Sequence, residues 1–260
     1  MKRQQKPIAL FSRALLQVKK LYSGRHLSIL IACMPKSGST YLTKLLSKAL
    51  SCELIFPAGG GDTGEHNLDY YSLIDFYGNR TVAHMHSRAT ERNIELINKF
   101  DIYTVVLTRN IFDIVISLYD HMHNISLRSF FYSIDEKRFH LLNSDEKFNF
   151  IIDYAVPWYF NFYITWVMAM ESGTADPVWL SYEELVGDVT GSVAKILKHY
   201  NLNIDFTDIQ ASVEGVDSKM TRFNKGITGR GLAELDERQV DRIVSFTRYY
   251  PDIDFSRMGI

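Results

Sequence analysis

Six consecutive residues, Pro35-Lys36-Ser37-Gly38-Ser39-Thr40, bring together one cation, three hydroxyls and a glycine. If a helix starts here, its first N–H groups have no intrahelical acceptor and share their direction with the positive end of the helix dipole. The product is an oxyanion site, and Gly38 lets the backbone approach the ligand. A lysine beside that positive end is unfavourable until an anion joins it. The bland alternative is a polar, capped turn. A second grouping is Arg109-Asn110 with Asp113 and Ser117. The arginine fork suits a phosphate, and Ser117, two turns into a following helix, can complete the grip. Asn110 and Asp113 read as caps returning to that helix's exposed N–H groups, and the alternative for Arg109 is a surface ion pair. In the third grouping, residues 81–88 (TVAHMHSR), strand geometry sends His84 and His86 to one face. An imidazole, with an ordinary pKa of roughly 6.5, suits a proton acceptor; a satisfied structural histidine or a metal pair are the competing readings. His121 and His123 diverge on a helix and read as structural.

These groups need elements to position them. Residues 27–33 (LSILIAC) form a nearly continuous apolar run, as expected of a strand buried on both faces, and residues 40–50 then show helical spacing through Leu42, Leu45, Leu46 and Ala49. Residues 102–107 and 111–119 repeat the order strand, turn, helix, placing Ile111, Val115, Leu118 and Tyr119 on one face. Residues 81–85 and 178–181 supply two more strands. Alternating strands and helices predict an α/β fold with a central, mostly parallel sheet flanked by helices. Downstream, Ser144 reads as the N-cap of a helix running toward Pro157, residues 158–170 as an aromatic-rich helix, and Val189 to Tyr200 as another. Asp236 with Gln239 forms a capping box opening a last helix that buries Val240, Ile243, Val244 and Tyr250. The aromatics of 158–170 outnumber one helical face; core packing is favoured over an acceptor pocket. Residues 59–64 (GGGDTG) read as a surface loop that could gate an acceptor.

The 260 residues are 46% apolar and 13% aromatic, enough for a sizeable core in a single domain and incompatible with general disorder. Lys+Arg total 29 against 30 Asp+Glu, a net charge of -1, which argues against a protein that coats nucleic acid and makes any anion site local. The two cysteines exclude a disulfide framework and fit a reducing, cytoplasmic setting. No segment approaches the roughly 20 apolar residues of a membrane helix. Residues 1–24, with Lys2, Arg3 and Lys6, read as a helical or flexible extension.

With Lys36 ahead of the glycine, the first loop lacks the G-K-[ST] of a nucleoside-triphosphate P-loop and resembles the P-K-S-G-[ST]-[ST] loop of sulfotransferases, which binds the 5'-phosphosulfate of 3'-phosphoadenosine 5'-phosphosulfate. Arg109 and Ser117 match the family's R-N-x-x-D-x-x-x-S motif, which holds the 3'-phosphate. The strand ending V-W-L-S-Y-E-E-L resembles the family's Y-E-[DE]-L, implying that Tyr182 approaches the adenine. Tyr41 stands where many members carry an adenine-stacking tryptophan. Residues 223–231 (FNKGITGRG) are similar to the family's C-terminal R-K-G-x-x-G clamp, with Lys225, Gly226 and Gly229 in place and Asn224 where an arginine is expected, so that Arg222 or Arg230 would have to compensate. The resemblance covers most of the chain from Leu27 and implies a P-loop-like three-layer fold. It implies catalytic roles for Lys36, His86 and Ser117, with His86 as the base by register with the family's K-T-H and His84 the other candidate. The implied donor contacts come from Pro35, Lys36, Ser37, Gly38, Ser39, Thr40, Tyr41, Arg109, Ser117, Tyr182, Asn224, Lys225 and Gly226. The expected reaction is sulfuryl transfer to a small-molecule or saccharide hydroxyl, or an amine, releasing adenosine 3',5'-bisphosphate, with no metal required. A homodimer is compatible with it. A P-loop kinase-like phosphotransferase and a non-catalytic nucleotide-binding protein are the rival readings.

Overall fold

In the computed structural model, residues 26–58, 67–124, 127, 131, 133–204, 206–215 and 228–260 are described. The N-terminal extension, residues 59–64, Arg222, Asn224, Lys225 and Gly226 lie outside them.

Five parallel strands form one sheet in the order β2-β3-β1-β4-β5. They are β1 (Leu27–Cys33), β2 (Glu53–Leu54), β3 (Arg80–Met85), β4 (Tyr103–Thr108) and β5 (Val178–Ser181). The apolar run of β1 sits at the centre, paired with β3 on one side and β4 on the other, which is why almost every residue in it is buried. Strand periodicity splits it between two cores. Leu30 and Ala32 join Ala83, Met85 and Val106 on one face, under α2 (Tyr70–Phe76), α3 (Glu91–Lys99), α4 (Ile111–Asn124), α6 (Ser144–Tyr154) and α7 (Val156–Glu171). Ile29, Ile31 and Cys33 join Val82, Val105, Leu107 and Leu180 on the other, packed by α1 (Ser39–Leu50), α8 (Tyr182–Gly187) and α9 (Val189–His199). The remaining helices are α5 (Glu136–Leu141), α10 (Phe206–Glu214), α11 (Gly231–Glu234) and α12 (Glu237–Val244). Among the described residues no helix is long and apolar enough to cross a membrane.

Several boundaries differ from expectation. Asn143, not Ser144, caps α6, because its side chain accepts from the Glu146 N–H while the Glu146 carboxylate accepts from Asn143 N–H. Pro157 opens α7 instead of ending α6, since a proline at the first helical positions loses no intrahelical bond. Tyr159, Phe162, Tyr163 and Trp166 of α7 are core residues. The Asp236–Gln239 capping box opens α12 as expected, but Tyr250 is 38% exposed, because a 3₁₀ turn over Ser245–Tyr249 redirects the chain before it can be buried.

Candidate functional site

The parallel sheet brings the ends of β1 and β4 side by side, with Cys33 opposite Leu107, so their two strand-to-helix corners are neighbours. In the first corner Gly38 occupies the N-cap position of α1 at φ 82°, and no side chain caps the helix. Tyr41 N–H donates back to Gly38 O at 3.0 Å, which leaves the N–H groups of Ser39 and Thr40 without an intrahelical acceptor. Lys36 has φ 70°, a left-handed conformation that costs a non-glycine residue on the order of 1 kcal/mol and must be imposed by its surroundings. Those surroundings are visible. Ser37 Oγ donates to Met34 O at 2.6 Å, Tyr159 Oη donates to Pro35 O at 3.3 Å, and Arg109 Nη1 donates to Lys36 O at 2.8 Å.

Arg109 thus links both corners. Its guanidinium lies 4.2 Å from the centroid of the Tyr182 ring, and its Nε is buried with no hydrogen-bond partner. Among the described residues no carboxylate stands within ion-pair distance of it. A stacked, oriented guanidinium with an unused buried donor has the chemistry to take an anion. Tyr182, the first residue of α8, also packs on Gly38: a Cβ built there would lie 3.1 Å from the ring. The tyrosine is therefore a wedge between the corners, 4% exposed, and burial pushes its phenol up, with the Arg109 charge pulling the other way. Its placement under Arg109 leaves little ring surface for an adenine. Tyr41 is half-buried on α1, and burial raises its phenol too.

Asn110 caps α4, accepting from the N–H groups of Phe112 and Asp113 at 3.0 and 3.2 Å. Asp113, read as a second cap, does something else: it is 2% exposed and its two oxygens accept from Gly229 N–H and Gly231 N–H, each at 2.8 Å. Gly231 is pressed so closely on the Phe112–Asp113 backbone that a Cβ would fall 2.3 Å from a main-chain atom. Arg230, between them, is tied to Asp120 of α4 at 2.9 Å and to Glu234, so a compensating role in the clamp would have to compete with two carboxylates. Ser117 is 8% exposed on α4, and one turn on, His121 presents Nδ1 to Lys36 Nζ at 3.5 Å. His123 diverges as expected: its Nδ1 donates to Tyr119 O and its Nε2 faces the buried Lys147 Nζ at 3.4 Å.

His84 and His86 follow Val82 on the α1 face of the sheet, and both are half-buried. His86 Nδ1 lies 3.0 Å from Cys33 O. A carbonyl only accepts, so in the neutral ring Nδ1 carries the proton and Nε2 is the basic nitrogen. The neighbouring Cys33 thiol, fully buried and donating to Met85 O, is pushed up to about 12, chiefly by burial, and stays a neutral packing group. A depression of about 710 Å³ lined by Leu50, Arg80, Asn203 and Asp208 opens at the other end of the sheet, where β3 begins, and has no part in this site.

Two strand-to-helix corners on adjacent parallel strands, each carrying a cation, with a histidine just past the end of a third strand, make this an α/β fold of the P-loop-like class. The chain belongs to the sulfotransferase domain family, whose model matches residues 27–226. The fold is similar to that of mouse sulfotransferase SULT7A1 complexed with PAP, at 16% identity and TM-score 0.63 over 94% of this chain and 92% of that one. It is also similar to retinol dehydratase in complex with androsterone and inactive cofactor PAP, at 14% identity and TM-score 0.60 over 93% and 87%. No curated protein sequence matches the chain.

Proposed function

We propose that this sulfotransferase moves a sulfuryl group from 3'-phosphoadenosine 5'-phosphosulfate to a hydroxyl-bearing small molecule or saccharide. The observation that carries it is the union of the corners: Arg109, with a buried unused donor, is bonded to the carbonyl of Lys36. Anions at opposite ends of one ribose can then reach both, the 5' end at the Pro35–Tyr41 segment and the 3' end at Arg109 and Ser117. Asn224, Lys225 and Gly226 would close over the 3'-phosphate, and Tyr41 and Tyr182 would flank the base, Tyr182 mainly as the platform of Arg109.

The donor supplies the sulfuryl group: its bond to the 5'-phosphate oxygen breaks as the acceptor oxygen bonds to sulfur. His86 removes the acceptor proton through Nε2, the nitrogen its bond to Cys33 O leaves basic. Lys36 and the first-turn N–H groups of α1 stabilise the negative charge growing on the departing phosphate oxygen, while the strained, tied loop holds them in place beforehand. The retinol dehydratase structure with androsterone bound makes a hydroxylated apolar molecule a reasonable first acceptor to try.

The test is binding and turnover side by side. Adenosine 3',5'-bisphosphate should raise the thermal midpoint without magnesium, ATP with magnesium should not, and labelled sulfate should pass to a member of a phenol, sterol and sugar panel. Stabilisation by ATP and magnesium alone would transfer the chain to the phosphotransferases; binding without transfer to any acceptor would favour a non-catalytic protein.

A further inference from the structure

His121 has no task in that mechanism, yet it meets the side chain the mechanism most depends on. Lys36 Nζ approaches His121 Nδ1 at 3.5 Å. An ammonium has only donors, so the imidazole accepts through Nδ1 and is neutral there. The backbone end of Lys36 is fixed by Arg109, and its left-handed φ of 70° sets the direction in which the side chain leaves the loop. His121 therefore completes a two-ended hold on a cation that would otherwise repel the positive end of α1. Helical spacing puts His121 on the same face of α4 as Ser117. The other charged groups at this end of α4 have partners of their own: Asp120 with Arg230, which also holds Glu234, and His123 with Lys147.

We infer that His121 is a positioning residue for Lys36, docking its ammonium in the donor-free site and taking up a proton when a 5'-phosphate draws that ammonium away. The inference rests on reading the Lys36 loop as the 5'-phosphate site. A lysine cation at contact distance opposes protonation of the imidazole, and moving the cation onto phosphate removes that opposition. Binding is then linked to proton uptake, so affinity rises as pH falls through the histidine range.

The experiment is calorimetric titration of the 260-residue chain with adenosine 3',5'-bisphosphate between about pH 6 and 8, in buffers of different ionisation enthalpy, for the unsubstituted chain and for His121→Asn. The asparagine oxygen can still accept from Lys36 but cannot titrate. The unsubstituted chain should take up more protons per nucleotide than the variant, and its affinity should climb more steeply on acidification, with an extra slope of up to tenfold per pH unit. The ligand phosphates and His86 contribute equally to both proteins, so the difference isolates His121. Equal proton counts and parallel slopes would overturn the inference while leaving the donor assignment standing. Failure of the unsubstituted chain to bind the nucleotide would overturn both. His121→Gln serves the same comparison if the asparagine chain does not fold.

Discussion

Replacing Gly38 by alanine probes the junction of the two corners with one methyl group. Gly38 has φ 82°, where a Cβ costs roughly 1–2 kcal/mol against the following carbonyl. The new methyl would also stand 3.1 and 3.2 Å from two carbons of the Tyr182 ring. That ring is 4% exposed and cannot swing into solvent, so it must shift by a few tenths of an ångström or the loop must; overpacking of this kind costs about 1–3 kcal/mol. A destabilisation of about 3 kcal/mol is expected, a fall of about 6–12 °C in melting temperature for a domain of this size. Arg109, 4.2 Å above the same ring, moves with it, and its bond to Lys36 O is disturbed. Affinity for adenosine 3',5'-bisphosphate should therefore drop at least tenfold, a loss of about 1.4 kcal/mol. Differential scanning calorimetry and nucleotide titration at a temperature where the variant is fully folded measure the two effects separately. A melting temperature within a degree of the unsubstituted protein, with unchanged affinity, would refute the account of Tyr182 as a wedge on which both corners depend.

Four further outcomes follow from the same geometry. Lys36→Ala should lower sulfuryl transfer by at least a hundredfold while the fold survives, which turnover and circular dichroism would check; normal turnover would end the mechanism. His86→Ala should reduce kcat by about a hundredfold or more with nucleotide affinity little changed, and equal loss of both would mark His86 as structural. Asp113→Ala leaves the N–H groups of Gly229 and Gly231 without their acceptor, at about 1–3 kcal/mol each, and hydrogen exchange or limited proteolysis should show the segment from Gly229 to Gly231 loosened before the rest unfolds. Cys33 is held at about 12 against 9.0 when unfolded, and Tyr163 at about 12 against 10.0, both by burial. Above pH 9 the unfolded thiol releases a proton that the folded one keeps, so the unfolded state binds fewer protons and stability falls as pH rises toward 12. The slope reaches about 1.4 kcal/mol per pH unit for each such group. Denaturant titrations at pH 8, 9 and 10 should show this, and Cys33→Ala should flatten the first part of the decline.

Strands β1 and β5 were legible at their full length because their apolar runs face core on both sides, and α1 and α4 because leucine and isoleucine recur at helical spacing on a buried face. The elements missed are short. β2 has two exposed residues and no pattern to read. α3 is rich in charge, and its start is signalled only by Thr90, which accepts from Asn93 N–H. α8 likewise opens with a Ser181–Glu184 capping box that could have been found. In the site, Asn110 was readable as a cap because its partners lie two and three residues away. Asp113 was not, because its partners lie 116 and 118 residues downstream, and an isolated acidic residue in a first turn looks the same whether it caps or anchors. The same holds for Tyr182, whose contact with Arg109 spans 73 positions of chain, and for His121, which divergence from His123 marked as structural although only its own face decides what it meets.

These long-range contacts are what convert two local motifs into one site. Each corner alone is a helix start with a nearby cation, a common device for satisfying orphan N–H groups. Arg109 bonds across to the Lys36 carbonyl, Tyr182 fills the space between Arg109 and Gly38, and Asn110 N–H is held by Glu183 of the same short helix. Changes at the second corner should therefore be felt at the first: Arg109→Lys keeps the charge but loses both the fork and its stacking on Tyr182. It should weaken nucleotide binding and lower the rate at Lys36 together, whereas loss of affinity alone would mean that the two corners act as separate anion sites.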